Sequence, residues 1–353
     1  MPAAISEALS ALQSDQPLTA EATEAAVAAV LDPAATEVDV AALLTALAMR
    51  PLQAEHAAGA AKALRDRATR IAPQASPLLD TCGTGGTGLS TVNISTATAI
   101  VAAACGVSVA KHGNRGATSK SGSADVLEAF GLQLDLIPER VAACIDTVGI
   151  GFLYARALHP AMKTVAPVRA RLPLKTVFNV IGPLSNPAGA THQLLGTGRP
   201  NVAAVLAEAA ARLGTERTLV VCGDAKLDEV SLSGPTVWTL VERVGDAADA
   251  SQPTTPSRGV WQPSDFGFDP VPVDAIRIET PEQSRALLEE AFAGRDTPAA
   301  RYIMANTAAA LWVMRRVDSV GDGVERARAA LVDGAAQAKL DELVRFTTEA
   351  ANA

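Results

Sequence analysis

The spacing of apolar residues divides the chain into two parts. Over residues 1–72 apolar positions recur with the period of a helix, and no strand pattern interrupts them. The clearest run consists of Val40, Leu43, Leu44 and Leu47. Just before it, Thr36 and Asp39 stand three positions apart, the arrangement of a capping box. The first part is therefore predicted to consist of consecutive short helices.

From Pro77 onward, short apolar runs alternate with helical segments. Buried strands are predicted at residues 78–79, 107–110 and 218–222. Helices are predicted at residues 93–105, 124–130 and 202–213. This alternation is typical of βαβ units and predicts a largely parallel sheet.

Two further stretches have a different character. Residues 159–189 contain five prolines and are expected to cross between layers or domains. Residues 245–265 are rich in small and polar residues without periodicity, which predicts a surface loop.

Composition and charge narrow the class of protein. Hydrophobic residues make up 48% and charged residues 19%, the profile of a globular chain. The net charge of −8 argues against a nucleic-acid or anionic-membrane surface. Residues 1–15 lack the features of an export signal, so a cytoplasmic location is expected. The four cysteines are scattered and indicate neither a zinc site nor a disulfide framework.

A glycine-rich loop follows the first predicted strand. Its glycines, at positions 83, 85, 86 and 88, let backbone N–H groups approach an anion closely. A helix is predicted to begin beside it, near Asn93, Ser95 and Thr96, and helix starts favour negative charge. The loop is therefore expected to bind a phosphate group.

The glycine spacing also matches the dinucleotide-binding pattern, which needs an acidic residue about 20 positions later. Residues 102–105 contain no acid there, which disfavours NAD. NADP remains an alternative because Arg115 could hold its extra phosphate. No Walker lysine follows the loop, so a P-loop nucleoside triphosphatase is poorly supported.

Residues 111–123 form a basic segment in an acidic chain. The segment carries three cations, one histidine and four hydroxyl groups, and contains no acid. Lysine supplies a point charge for phosphate, while hydroxyls and amides fix its orientation. The segment is a second candidate for phosphate binding, with a solvated basic loop as the simpler alternative.

Taken together, these segments closely resemble the anthranilate phosphoribosyltransferase family. The resemblance rests on ordered blocks spanning nearly the whole chain, at residues 80–86, 93–96, 111–115, 119–125, 159–163, 178–187, 227–231, 306–309 and 342–346.

The resemblance implies transfer of the 5-phosphoribosyl group from phosphoribosyl pyrophosphate (PRPP) to anthranilate, in tryptophan synthesis, with Mg²⁺ as cofactor. It implies an α/β fold of the nucleoside phosphorylase type, in which a small all-helical domain joins a larger α/β domain with a mostly parallel central sheet. The helical domain would span residues 1–72 with a returning segment around 165–190, and the α/β domain residues 73–164 and 191–353. The family's usual state is a homodimer through the helical domain.

The resemblance also implies site residues. Those matching PRPP-binding positions are Gly83, Gly86, Thr87, Asn93, Ser95, Thr96, Lys111, Asn114 and Ser123. Those matching anthranilate-binding positions are Gly83, His112, Asn114, His159, Arg169, Gly182 and Pro183. Those matching metal-binding positions are Ser95, Asp228 and Glu229. Because strand neighbours point to opposite faces, Asp228 and Glu229 would have to lie in a turn or serve two ions.

Three residues depart from the family pattern. Thr87 replaces the usual aspartate, which predicts weaker or altered magnesium dependence. Arg156 stands at a common proline position, and Lys226 stands where glycine often precedes Leu-Asp-Glu and could compete with the metal. These departures are either neutral drift or signs of a paralogue with another acceptor. Two further alternatives are a pyrimidine nucleoside phosphorylase of the same fold group, and a catalytically silent homologue that binds a nucleic acid or a regulatory partner.

Overall fold

The computed structural model describes residues 1–116, 119–243 and 256–351. Four helices come first: α1 (Ala3–Gln13), α2 (Ala20–Val30), α3 (Glu37–Ala48) and α4 (Ala54–Arg65). The predicted capping box is present at the start of α3, where the Asp39 amide donates to the Thr36 hydroxyl and the Asp39 carboxylate accepts from the Thr36 amide. These bonds satisfy N–H groups that the helix leaves open and so fix where α3 begins.

A sheet forms the centre of the larger part. Its strands are β1 (Leu79–Gly83), β2 (Val109–Gly113), β3 (Ile150–Tyr154), β4 (His192–Gly196), β5 (Arg217–Gly223), β6 (Thr236–Glu242) and β7 (Ser257–Trp261). They lie in the order β3-β2-β1-β4-β5-β6-β7. The pairs among β1 to β5 are parallel, and β6 and β7 are antiparallel. The predicted α/β fold with a mostly parallel sheet is confirmed.

Strand β7 corrects one sequence prediction. The stretch predicted as a surface loop includes residues 257–261, which pair with β6, and residues 263–266, which form a short 3₁₀ helix. Residues 245–255 of that prediction lie outside the described residues. The strand forms because β6 offers an open ladder and because Trp261 packs against Trp238 and Trp312. Both are long-range causes that a local pattern does not contain.

Ten helices of the described chain follow β1. They are α5 (Ile94–Ala104), α6 (Ser123–Ala129), α7 (Pro138–Val148), α8 (Ala155–Leu158), α9 (Met162–Arg171), α10 (Pro200–Arg212), α11 (Pro281–Phe292), α12 (Pro298–Val313), α13 (Val320–Val332) and α14 (Ala335–Ala351). Alternate residues of each strand face opposite sides of the sheet. Leu194 and Leu219 accordingly join the core formed with α5 and α12, while Leu195 and Val220 join the core formed with α10.

The core around α10 also contains α1 to α4. Helix α9 and two short 3₁₀ helices, Val177–Asn179 and Gly182–Ser185, pack into it through residues such as Val165 and Phe178. The segment that follows α8 thus lies against the N-terminal helices. The exact domain boundaries at residues 72, 164 and 191 stay a prediction. Within the described residues, no helix has both the length and the apolar character needed to cross a bilayer.

Candidate active site

The site residues gather where the parallel strands end. Strands β2 and β3 follow β1 on one side of it, whereas β4 and β5 lie on the other. The chain thus changes direction between β1 and β4, which makes this point a topological switch. Ligands bind in the crevice that such a switch opens at the carboxyl ends of the strands. The glycine-rich loop, residues 83–88, leaves β1 at this position.

The glycine loop has the open backbone that anion binding requires. Gly85, Gly86 and Gly88 have φ angles of 64°, 68° and 79°, in the left-handed region that other residues rarely adopt. The Gly86, Thr87 and Gly88 amides have no acceptor within the described residues. Successive free amides of this kind form a concave anion-binding site.

Asp228 is tied directly to this loop. Its carboxylate accepts a hydrogen bond from the Gly85 amide at 2.8 Å. A Cβ atom on Gly83 would lie 2.3 Å from the Asp228 carboxylate, and one on Gly196 would lie 1.7 Å from the Asp228 carbonyl oxygen. Glycine is therefore needed at the ends of β1 and β4 so that the Asp228 turn can approach the loop. Sequence reasoning singled out Gly83 but missed Gly196.

Glu229 points from the same turn to the start of α5. Its carboxylate accepts a hydrogen bond from the Ser95 amide at 3.2 Å. Residues 227–235 lie between a 3₁₀ helix and β6, outside any strand, so the two neighbouring carboxylates need not face opposite sides of a sheet. The structure thus places Glu229 at Ser95 on the start of α5, and its neighbour Asp228 at the glycine loop.

The charge of the buried Lys111 acts on one member of this acidic pair, Glu229, without forming an ion pair with it. Neither carboxylate has a lysine or arginine within ion-pair distance in that part of the chain. Burial raises the pKa of Asp228, and burial together with the Asp228 charge raises the pKa of Glu229 to about 8. No cluster of three His, Cys, Asp or Glu residues that could hold a metal occurs in that part either. Two carboxylates and a serine hydroxyl fit Mg²⁺, which completes its coordination with water and substrate phosphate oxygens.

Lys226 lies beside this turn in an unusual backbone conformation. Its φ angle is 64°, and that of Ala225 is 51°. The left-handed geometry explains why glycine suits this position. The Lys226 side chain is exposed and forms no ion pair with Asp228 or Glu229. The structure therefore shows strain at this departure, without competition for the acidic pair. Arg156, another departure, is exposed at the start of α8.

Asn93 and Thr96 differ in how open they are to a ligand. The Asn93 side-chain oxygen Oδ1 accepts from the Ser121 and Ser284 hydroxyls at 2.8 and 2.7 Å, so this side chain joins the start of α5 to the basic segment. Thr96 is only 2% exposed, and its hydroxyl has no hydrogen-bond partner among the described residues. The hydroxyl borders a small internal cavity beside Lys111. Of Thr96, only the backbone N–H at the helix start is suited to meeting an anion.

Much of the positive charge in the basic segment is already paired. The Lys111 ammonium is buried and donates to the Thr81 and His112 carbonyls at 2.6 and 3.3 Å. Arg115 pairs with Asp125 and Glu128, and Lys120 pairs with Glu279. The NADP alternative needed Arg115 to be free, so the structure removes its support. Residues 117 and 118 lie outside the described residues.

Asn114 and Ser123 bring the two ends of the basic segment together. The Ser123 hydroxyl accepts from the Asn114 amide at 3.1 Å and lies 3.2 Å from the Asn114 carbonyl, to which it can donate. Gly122 allows this approach, because a Cβ there would lie 2.2 Å from the Gly116 amide. These two predicted PRPP-binding residues are therefore neighbours in space.

His112 and His159 form a buried pair. Their Nε2 atoms lie 3.1 Å apart, which places a proton on one ring and a lone pair on the other. Burial lowers the pKa of His159 to about 4 and holds that of His112 well below its usual range. Both rings are therefore neutral at pH 7. The Gly182 backbone lies beside His112, so three of the predicted anthranilate-binding residues meet here.

The backbone around His112 is held by a connection that sequence reasoning missed. Asp80 is fully buried and accepts from the His112 amide at 3.1 Å and from the Asn186 side chain at 2.8 Å. The Pro183 carbonyl accepts from Gln193 at 2.7 Å, which fixes the neighbouring 3₁₀ helix to β4. Both Asp80 and Asn186 fall within family-like blocks, and that was the available signal.

Arg169 is a guanidinium without a carboxylate partner in the described residues. It is half-buried near the end of α9, and its Cζ atom lies 5.4 Å from the centre of the Phe178 ring. Burial lowers its pKa. By contrast, Arg171 on the same helix pairs with Glu37 at the surface. A desolvated, unpaired arginine is costly unless a ligand anion meets it.

Lys175 is a residue near the glycine loop that no sequence pattern indicated. It lies between α9 and the 3₁₀ helix Val177–Asn179, and its ammonium donates to the Gly86 carbonyl at 3.3 Å. A single lysine in a proline-punctuated stretch carries no periodic or motif signal.

Comparisons with known proteins identify the family. The glycosyl transferase family, helical bundle domain, matches residues 6–68, and the glycosyl transferase family, a/b domain, matches residues 75–337. The anthranilate phosphoribosyltransferase of Rhodopirellula baltica is 44% identical over 338 residues, 96% of each chain. That of Symbiobacterium thermophilum is 44% identical over 94% of each chain.

Solved structures of such enzymes have the same fold. The crystal structure of anthranilate phosphoribosyltransferase from Thermus thermophilus superposes with a TM-score of 0.87 at 38% identity, covering 97% of this chain and 99% of that one. The Saccharomyces cerevisiae enzyme in complex with PRPP and Mg superposes with a TM-score of 0.88 at 26% identity, covering 99% of each. On this evidence, the chain belongs to the anthranilate phosphoribosyltransferase family.

Proposed function

We propose that the site described above transfers the 5-phosphoribosyl group from PRPP to the amino group of anthranilate and releases pyrophosphate. The observation that carries this proposal is the hydrogen bond between the Asp228 carboxylate and the Gly85 amide. It brings a cation-binding carboxylate to a loop whose free amides suit an anion. A magnesium-bound pyrophosphate group requires both at one place.

PRPP is proposed to lie with its pyrophosphate on the glycine loop and the start of α5. The free amides of Gly86, Thr87 and Gly88 supply donors, and the α5 helix start adds a favourable dipole. Asn114 and Ser123, which lie beside each other, would bind the same group from the end of β2 and the start of α6. Lys111 would add a buried positive charge beside β1, although its ammonium is bonded to backbone carbonyls.

Mg²⁺ is proposed to bind between Asp228, Glu229 and the Ser95 hydroxyl. The carboxylates have no cationic partner in the described part of the chain, and burial raises both pKa values, which a divalent cation would reverse. When bound, the metal neutralises part of the charge on the departing pyrophosphate. The Saccharomyces cerevisiae relative was solved with PRPP and Mg, which supports this choice of ion.

Anthranilate is proposed to bind between the histidine pair and Arg169. The half-buried guanidinium of Arg169 offers two parallel donors, which match the geometry of a carboxylate. His112, Asn114, His159, Gly182 and Pro183 would form the walls around the aromatic ring. The Saccharomyces cerevisiae enzyme was also solved in complex with 4-fluoroanthranilate, a closely related ligand.

The chemistry then depends mainly on position and charge. The bond between the anomeric carbon and pyrophosphate breaks with its electron pair on pyrophosphate, the amine nitrogen forms the new bond, and the nitrogen loses a proton. Positive charge grows on the ribose meanwhile, and the two neutral imidazoles avoid repelling it. The arylamine is already nucleophilic, so holding it near the anomeric carbon supplies much of the acceleration.

A fluorescence assay tests the proposal directly. Purified protein with PRPP and Mg²⁺ should consume anthranilate, and its fluorescence should fall with time. Absence of turnover across a magnesium titration would contradict the proposed reaction. Addition of uridine or thymidine with phosphate in place of these substrates tests the pyrimidine nucleoside phosphorylase alternative in the same preparation.

The assembly proposed for the chain is a homodimer through its helical part. Val38 and Met49, at the two ends of α3, are the most exposed large apolar side chains of the described residues, with 70% and 75% of their surface accessible. Light scattering after size-exclusion chromatography should give twice the mass of the 36.2 kDa chain. Replacing Val38 and Met49 with lysine should shift the mass to that of a monomer.

A further inference from the structure

Lys175 reaches the glycine loop from the opposite side of the crevice. Its segment follows α9, which packs against the N-terminal helices, whereas the loop follows β1 of the sheet. The ammonium lies 3.3 Å from the Gly86 carbonyl and 3.6 Å from the position a Cβ on Gly86 would occupy. Lys175 therefore joins the helical part to the loop through one side chain.

The Lys175 charge is not neutralised by the protein. The side chain is exposed, and its one hydrogen bond within the described residues is to a neutral carbonyl. An ammonium has three N–H donors, so two remain available beside the loop. By contrast, Arg115 and Lys120 are paired with carboxylates, and Lys111 is buried with two carbonyl partners.

The glycine loop contains no acidic residue that could neutralise the Lys175 charge. Thr87 replaces the family's aspartate, so the loop itself carries no acid with which Lys175 could pair. The Gly86, Thr87 and Gly88 amides are open on the loop whose carbonyl Lys175 contacts. Lysine acts on phosphate as a compact point charge, and its stem lets the ammonium follow the phosphate as it leaves.

We propose that Lys175 is a further binding residue for the pyrophosphate group of PRPP, supplied by the helical part of the chain. The inference rests on the proposed function for the identity of the substrate. The Lys175 ammonium then binds the negative charge of the pyrophosphate together with the backbone amides of the loop. Such a contact also couples pyrophosphate binding to the relative position of the two parts of the chain.

Binding of inorganic pyrophosphate tests this inference without turnover. Isothermal titration calorimetry with Mg²⁺ and pyrophosphate is carried out on the wild type, Lys175→Gln, Lys175→Arg and Arg171→Gln. Lys175→Gln removes the charge and keeps a polar side chain of similar size. Arg171→Gln is the matched control, since this arginine lies on the same segment and its side chain is 76% exposed.

We expect Lys175→Gln to bind pyrophosphate roughly 10-fold more weakly, because a charge-assisted hydrogen bond is lost. Lys175→Arg should stay within about 3-fold of the wild type, and Arg171→Gln should match it. Added salt should weaken binding to the wild type more than to Lys175→Gln, since the variant has lost a screened charge. In turnover, Lys175→Gln should raise KM for PRPP and leave KM for anthranilate unchanged.

The inference is overturned if Lys175→Gln binds pyrophosphate as the wild type does, if Arg171→Gln loses as much affinity, or if the wild type does not bind pyrophosphate. The anthranilate assay on the wild type answers a separate question. Absence of turnover together with the expected calorimetric pattern would refute the proposed reaction and leave the pyrophosphate contact standing. Turnover by the wild type, together with equal pyrophosphate affinities of the wild type and Lys175→Gln, would refute the Lys175 contact alone.

Discussion

Replacing Arg169 with alanine removes the guanidinium that we assign to the anthranilate carboxylate. In the described residues this side chain has no carboxylate partner, and its main contact is with the Phe178 ring, 5.4 Å from its Cζ atom. The substitution therefore leaves no buried protein charge without its partner. We expect the free energy of unfolding to change by only about 1 kcal/mol, the order of one cation–π contact.

The effect on catalysis should be much larger than the effect on stability. A hydrogen bond to a charged group contributes about 1.5–3 kcal/mol, and the planar fork of arginine can form two of them with one carboxylate. We therefore expect Arg169→Ala to lower kcat/KM for anthranilate by roughly 100-fold, mostly through a higher KM. KM for PRPP should stay within about 2-fold. Arg169→Lys keeps the charge and loses the planar fork, so its kcat/KM for anthranilate should lie between the values of the wild type and Arg169→Ala.

Steady-state kinetics with each substrate varied in turn measures this difference. Arg171→Ala is the control, because it removes an arginine from the same helix whose ion pair with Glu37 lies at the surface. Equal changes in KM for both substrates would refute the carboxylate assignment. An Arg171→Ala enzyme as impaired as Arg169→Ala would show that the helix, and not the guanidinium, is responsible.

Three other changes have expected outcomes. Lys226→Gly should raise the free energy of unfolding by about 1 kcal/mol, because residue 226 has a φ of 64° that glycine adopts without strain; an unchanged or lower urea midpoint would argue against strain there. The pKa of His159 is lowered to about 4, so the folded state binds fewer protons than the unfolded state between that pH and about 6.5. Acidification through this window should lower the free energy of unfolding of the wild type more steeply than that of His159→Gln, by up to about 1.4 kcal/mol per pH unit. Equal slopes in chemical denaturation would contradict the burial of a neutral ring. Thr87→Asp should lower the magnesium concentration for half-maximal turnover by roughly tenfold, since it restores the carboxylate that the family has at this loop position. An unchanged magnesium midpoint would show that Thr87 does not alter magnesium dependence.

Several features of the fold follow from short stretches of sequence. The helical period before residue 72, the capping box at Thr36 and the alternation of strands and helices after Pro77 all match the structure. These signals succeed because capping and periodic burial involve residues only a few positions apart. Strand β2 nevertheless begins at Val109, two residues later than predicted, since parallel pairing decides which part of an apolar run joins the ladder.

Strand β7 and Lys175 show what local patterns leave out. Residues 257–261 are extended because β6 and a tryptophan cluster lie beside them. Lys175 contacts a carbonyl 89 positions earlier in the chain, and no neighbour in sequence indicates this. Such contacts depend on how separate elements pack, and the same residue in another fold would face solvent.

The sequence by itself determined the chemistry that the site can offer. It placed glycines where the backbone must turn left-handed, hydroxyls at a helix start, and the acidic pair Asp228 and Glu229 after a strand, because these are properties of residue type and spacing. The tertiary structure alone decided that Asp228 bonds to Gly85, 143 positions away, that Arg115 is consumed by ion pairs, and that Arg169 stays unpaired. Which charges remain free for a ligand depends on which partners folding brings within hydrogen-bond distance, and that is a property of the packed chain.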